Sequence, residues 1–177
     1  MPHLLFSTVL GPCGLAWNDA GLTAFVLPGG DAAATEGGLR RYAGRESSAV
    51  AEEAAPPWVR ELVARVQRHL NGDLQDFRQV PLDASRVSAL AWRVYDAARQ
   101  VPAGQTATYG DLAARLNDPA GNSRAVGAFM GSNPWPLIVP CHRIVGANGR
   151  LTGFSAAGGV RTKARLLVIE GAQLLAE

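Results

Sequence analysis

TYGDLAARLNDPAGNSRAVGAFMGSNP, residues 108–134, holds two helical stretches separated by a turn. Thr108 stands three residues ahead of Asp111, the spacing of a capping box, in which hydroxyl and carboxylate each accept from a backbone N–H that the first helical turn leaves unpaired. The helix so started runs through YGDLAARL. Asn117 to Gly121 suit a turn, SRAVGAFMG follows as a second helix, and Gly131 and Asn133 end it ahead of Pro134. Upstream, RVSALAWRVYDAARQ places Val87, Leu90, Ala91, Val94 and Ala98 on one packing face, and Pro102 and Gly104 break the chain behind it. Helix, short turn, helix is the outline of a helix-turn-helix, and equally of two helices packed in a core.

The first part of the chain reads differently. LLFSTVL, GLAW and LTAFVL are short apolar runs, the last two joined by the turn residues Asn18 to Gly21, which predicts an antiparallel hairpin or small sheet. Gly29 to Pro57 reads as loop with one short helix around Leu39 to Tyr42. Trp58, Leu62, Val66 and Leu70 then fall on one helical face, with Pro57 near the start and Gly72 just past the end. Asp73 to Asp83 is a linker into the second half.

At 177 residues the chain fits one domain, or one with a smaller companion. Its two cysteines, Cys13 and Cys141, are far apart and form no CxxC, which points to a reducing compartment rather than a disulfide framework. No stretch approaches the roughly 18 apolar residues of a membrane span, and no basic region precedes the N-terminal apolar run. A soluble, cytoplasmic protein is expected. Formal charge is +2, but residues 1–84 hold seven arginines against ten acids and residues 85–177 hold nine arginines and one lysine against five acids. The second half is where a polyanion would dock, or simply a solvated basic face.

VPCHRIV, residues 139–145, sets Cys141 beside His142 and Arg143 where Pro140 halts the apolar run PLIVP, read as a short buried strand. A free cysteine there is either a small buried hydrophobe or a nucleophile held at the edge of a scaffold. Its cationic neighbours favour the second, because such a setting lowers a thiol pKa from about 8.5 toward neutrality. Successive side chains on an extended chain point apart, so His142 would reach the sulfur only through a water or a turn of the backbone. A histidine base also needs an acceptor on its other ring nitrogen. Glu170 and Glu177 are the only acids after Cys141, and Glu170, at the end of the helix VRTKARLLVIE, is the better placed.

With these residues in view, the sequence resembles the O6-alkylguanine-DNA alkyltransferases. The likeness runs through TYGDLAARL, SRAVG, NPWPLIVPCHRIVG and GRLTGFSAAGGVRTKARLLVIEGA, about residues 87–172. It implies an α/β (α+β) fold, with an N-terminal domain, 1–84, of small sheet and helix supporting a helical, winged-helix-like C-terminal domain, 85–177. It implies single-turnover transfer of an alkyl group from O6-alkylguanine in double-stranded DNA to Cys141, after a monomer bound in the minor groove flips the base out of the stack, with no cofactor and no metal. Residue by residue, it implies that His142, oriented by Glu170, takes the thiol proton, that Tyr109 protonates the leaving base, and that Asn133 ties the second helix to the cysteine segment. Arg124 is the implied finger filling the gap in the stack, with Ser123, Ala125 and Tyr109 at the groove, and Trp135, Ile144, Phe154 and Ser155 as the pocket. Phe154 to Gly159, with two alanines ahead of the double glycine, is longer than the common pattern. Asn122 and Ser123 replace small apolar residues. Some relatives hold zinc, but His3, Cys13 and His69 are too scattered here to form a site. Two other classes use the same residues: a cysteine hydrolase, which would need an oxyanion hole, and a sensor of alkylated DNA without chemistry, which would not need Cys141.

Overall fold

The computed structural model describes residues 1–44 and 46–173. Three antiparallel strands, β1 (Pro2–Thr8), β2 (Gly11–Asn18) and β3 (Gly21–Val26), form the predicted sheet, and β4 (Ser48–Ala49) adds parallel to β1, giving the order β3-β2-β1-β4. At the β2–β3 turn the Asn18 side chain accepts from the N–H groups of Ala20 and Gly21 at 2.9 and 3.2 Å. Gly21 has φ +140°, and a Cβ there would lie 2.6 Å from the Pro81 carbonyl oxygen. Only glycine meets both conditions.

Helix α1 (Ala32–Ala43) is longer than the single turn predicted. Gly37 and Gly38 hide it from propensity, but Asp31 caps it by accepting from Ala34 N–H, and Leu39 and Ala43 pack on Ala16 and Ala24 of the sheet. Helix α2 (Pro57–Leu70) carries the predicted Pro57 start, and Gly72 beyond it has φ +94°. Its buried stripe is Val59, Leu62, Val63, Val66, His69 and Leu70; Trp58 is only half-buried.

In the second half, α3 (Ala89–Arg99) is capped by Ser88, and α4 (Tyr109–Leu116) opens with the predicted capping box: Thr108 and Asp111 exchange hydrogen bonds of 2.8 and 3.0 Å. Asn117 ends α4 in the left-handed conformation, and α5 (Ser123–Gly131) follows under an Asn122 cap. The three helices pack pairwise, so the 108–131 segment is a helix-turn-helix. Beside it lie a short parallel ribbon, β5 (Ala107–Thr108) with β6 (Ile144–Val145), and helix α6 (Val160–Ile169). Among the described residues no helix is long and apolar enough to cross a membrane.

One hydrophobic core runs from the sheet through α2 into α3, α4 and α5. The 73–83 segment is pinned rather than free: the buried Arg99 guanidinium donates to the carbonyls of Phe77, Arg78 and Val80 at 2.9, 2.6 and 2.9 Å. Leu137 to Val139 is not the expected strand. Leu137 has φ +76° and Val139 N–H donates back to the Trp135 carbonyl at 2.8 Å. The Asn133 side chain accepts from Trp135 N–H and donates to the Val139 carbonyl, both at 2.9 Å, so these backbone groups are satisfied by a turn and need no ladder.

Candidate active site

From this turn the chain enters a 3-10 helix, Cys141–Arg143, held by Arg143 N–H donating to the Pro140 carbonyl at 2.9 Å. The backbone therefore turns at Cys141, and the opposed arrangement expected of an extended chain does not arise. His142 is fully buried and its Nε2 lies 2.9 Å from Glu170 Oε1. Glu170 caps the C-terminal end of α6, a position that opposes the helix dipole and that its partners offset. Arg143 grips the carboxylate with two prongs, Nε to Oε2 at 3.0 Å and a terminal nitrogen to Oε1 at 2.8 Å, and its other terminal nitrogen donates to the Val101 carbonyl at 2.7 Å. Burial alone would push the Glu170 carboxyl up; hydrogen bonds from His142, His69 and Arg143 outweigh it and hold the group well below the usual range. Glu170 is thus ionised, which assigns the His142 Nε2 proton to the bond between them and leaves a lone pair on Nδ1. Nδ1 is buried and has no hydrogen-bonding partner among the described residues.

Cys141 is 4% exposed and its thiol is pushed up by burial, only partly countered by an Asn133 hydrogen bond and the Lys163 charge. This corrects the expectation of a thiol lowered by adjacent cations: Arg143 spends its charge on Glu170, and His142 is itself held below its ordinary value, mainly by burial. The resting sulfur is neutral.

The sulfur's residue lines a cavity of about 280 Å³ together with Tyr109, Met130, Gly153, Phe154 and Ser155, just below the common range of roughly 300–1,000 Å³ for small-molecule sites. Tyr109, the first residue of α4, is half-buried and directs its hydroxyl toward the Thr152 carbonyl at 3.5 Å. Arg124 and Ser123 are exposed on the first turn of α5, with Ala125 half-buried beside them. Two predicted pocket residues stand elsewhere. Trp135 is buried edge-on against Trp92 and Tyr95 and donates its indole N–H to the Leu22 carbonyl of β3 at 2.9 Å. A buried indole N–H needs an acceptor, and this one joins the two halves of the chain. Ile144 is buried in β6, where its carbonyl accepts from Lys163 Nζ at 2.5 Å. Glu177 lies outside the described residues.

Three residues escaped the sequence reading. Arg143 serves the Glu170 carboxylate rather than the sulfur. Lys163 is fully buried, brought down to about 8 by desolvation, and donates to the carbonyls of Ile144, Thr152 and Gly153, fixing the loop that floors the cavity. His69, on α2, places Nε2 2.9 Å from Glu170 Oε1 across 101 positions of sequence. A lysine in the first turn of α6 is a visible signal; nothing local marks His69.

Compared with known proteins, residues 89–172 match the family model described as "6-O-methylguanine DNA methyltransferase, DNA binding domain". The methylated-DNA--protein-cysteine methyltransferase of Methanothermobacter thermautotrophicus is 32% identical over 162 residues, covering 91% of this chain and 80% of that protein. This chain belongs to that family. The Salmonella typhimurium methyltransferase is 54% identical over 82 residues, 46% of each chain. A crystal structure of Mycobacterium tuberculosis OGT in complex with DNA superposes with a TM-score of 0.74 at 29% identity, covering 96% of this chain and 93% of that one. Family membership makes the protein a methyltransferase, on the mixed α/β fold expected.

Proposed function

We propose that Cys141 is the methyl acceptor, that O6-methylguanine in duplex DNA is the donor, and that each chain reacts once. The observation that carries this is Cys141 on the wall of a small cavity, next in the chain to His142, whose Nε2 is bonded to the ionised Glu170. The O6 atom of a stacked guanine is out of reach of a side chain, so the base must leave the stack. Arg124, exposed at the start of α5, fills the gap from the minor groove, with Ser123 and Ala125 against the backbone. His142 Nδ1 takes the thiol proton through a bridging water. The sulfur electron pair forms the S–C bond as the C–O6 bond breaks, and Tyr109 gives a proton to the departing base, since a purine anion is unfavourable in a dry pocket. Asn133 stabilises the nascent thiolate. Phe154 and Ser155 wall the pocket.

The product is a thioether, whose carbon has no good leaving group, so Cys141 is not regenerated. Residues 85–177 carry the binding and transfer groups and residues 1–84 support them, in a protein acting as a monomer in the cytoplasm. The test is intact mass after incubation with an O6-methylguanine oligonucleotide: one methyl group per chain, mapped to Cys141, with no further reactivity. Repeated turnover, or tight binding of the lesion without transfer, refutes the reading.

A further inference from the structure

Glu170 Oε1 receives three donors: His142 Nε2 at 2.9 Å, His69 Nε2 at 2.9 Å and Arg143 at 2.8 Å. Proton transfer at the sulfur, as proposed above, needs the first, and the second comes from the other half of the chain. His69 is fully buried at the last turn of α2, its ring tilted on Phe77 with centroids 5.2 Å apart. The Gln75 N–H donates to its Nδ1 at 3.0 Å. A backbone N–H cannot share that position with a ring proton, so the neutral imidazole carries its proton on Nε2, aimed at Oε1. The tautomer is set by the 70–75 turn, and the ring is held by packing on Phe77. Three donors exceed the two lone pairs of one carboxylate oxygen, so each bond to Oε1 is weaker than it would be alone.

We propose that His69 is a positioning residue for methyl transfer: it fixes the Glu170 carboxylate and, by drawing on Oε1, limits the negative charge that His142 receives. A base stabilised too strongly as imidazolium would be protonated before it could accept the thiol proton, so this competition adds to burial in keeping His142 neutral and ready. The inference rests on the assignment of His142 and Glu170 made above. The charged and titratable groups facing the relay are Arg143 and Cys141 on its own 3-10 helix, Glu170 and Lys163 from α6, His69 from α2, Tyr109 from α4 and Tyr95 from α3. His69 is the one among them whose removal changes the donor set on Oε1 without touching the sulfur, the cavity or the arginine prongs.

Two substitutions separate its two hydrogen bonds. The amide oxygen of His69→Asn reaches the Nδ1 position and keeps the Gln75 contact while abandoning Glu170. The amide nitrogen of His69→Gln reaches the Nε2 position and keeps the donor to Oε1. Single-turnover methyl transfer from an O6-methylguanine duplex is followed between pH 5.5 and 9 for the full-length wild type, both variants and Glu170→Gln, with melting temperatures alongside. With His69→Asn, His142 becomes more basic: the acid limb of the rate profile moves up by about half to one pH unit, a loss of roughly 3- to 10-fold below the limb, with the plateau rate kept. His69→Gln overlays the wild type. A His69→Asn profile that superimposes on the wild type overturns the inference. So does a uniform loss of rate in both variants that tracks melting temperature without moving the limb. If the wild type leaves Cys141 unmethylated, or Glu170→Gln does not alter its acid limb, the relay itself is refuted and the role of His69 falls with it.

Discussion

Replacing Glu170 by glutamine removes one negative charge from beneath three donors that are themselves buried: His142, His69 and Arg143 are 0, 0 and 6% exposed. Arg143 keeps its bond to the Val101 carbonyl but loses its countercharge, and a guanidinium can only donate, so it gains nothing from the amide N–H of glutamine. Removing one partner from a buried ion pair costs about 3–5 kcal/mol, a large part of the roughly 5–15 kcal/mol that holds a domain folded. At about 2–4 °C per kcal/mol for a chain of this size, the melting temperature should fall by around 10 °C. The folded pKa of Glu170 lies below its unfolded value of about 4.3, so the unfolded chain takes up the proton first. The stabilisation is therefore fully present above that pH and is lost as pH falls toward the folded pKa, by up to about 1.4 kcal/mol per unit. Urea denaturation of wild type and Glu170→Gln at pH 7.5, 5 and 3 reads the difference directly. Asp76, Asp83, Asp111 and Asp118 are also held low by hydrogen bonds, but they are common to both proteins and cancel. A gap below about 1 kcal/mol at pH 7.5, or one that stays constant down to pH 3, would refute the account of the carboxylate as a buried charge satisfied by three donors.

Arg124→Ala should slow methyl transfer from duplex DNA on the order of 10²-fold, the equivalent of a few kcal/mol of uncompensated unstacking, while reaction with free O6-methylguanine base is unchanged; equal slowing of both, by quenched-flow and mass analysis, removes the finger role. Trp135→Phe should cost about 1–3 kcal/mol in urea denaturation, because the indole bond to the Leu22 carbonyl is lost and part of a buried ring is removed, although that carbonyl keeps the Asp83 N–H, yet transfer per folded molecule should stay at the wild-type rate. A Trp135→Phe protein with normal stability and impaired transfer would return Trp135 to the pocket.

The helix-turn-helix was legible because its signals are local. Thr108 with Asp111, Asn117 in the left-handed cap and Asn122 ahead of Ser123 each act within four residues, and such contacts form wherever the sequence places them. The strands were legible for a similar reason, their turn being closed by Asn18 and Gly21. Helix α1 was not: two glycines mask it, and its stability comes from Leu39 and Ala43 against a sheet that pattern alone does not position. The 137–139 segment is a turn and not a strand because a side chain, Asn133, takes the hydrogen bonds that a strand partner would take.

The sequence by itself determined which residues could do the chemistry. A cysteine beside a histidine, one well-placed acid, a tyrosine and an arginine at helix starts are chemical identities, and no fold alters them. Tertiary structure decided how they act. It raised the thiol by burying it, turned Arg143 from the sulfur to the carboxylate, drew Trp135 out of the pocket into the joint between the halves, and brought His69 to Glu170 from 101 positions away. Proton affinity depends on local dielectric and on the nearest charges, and both are set by residues that meet only when the chain has closed on itself.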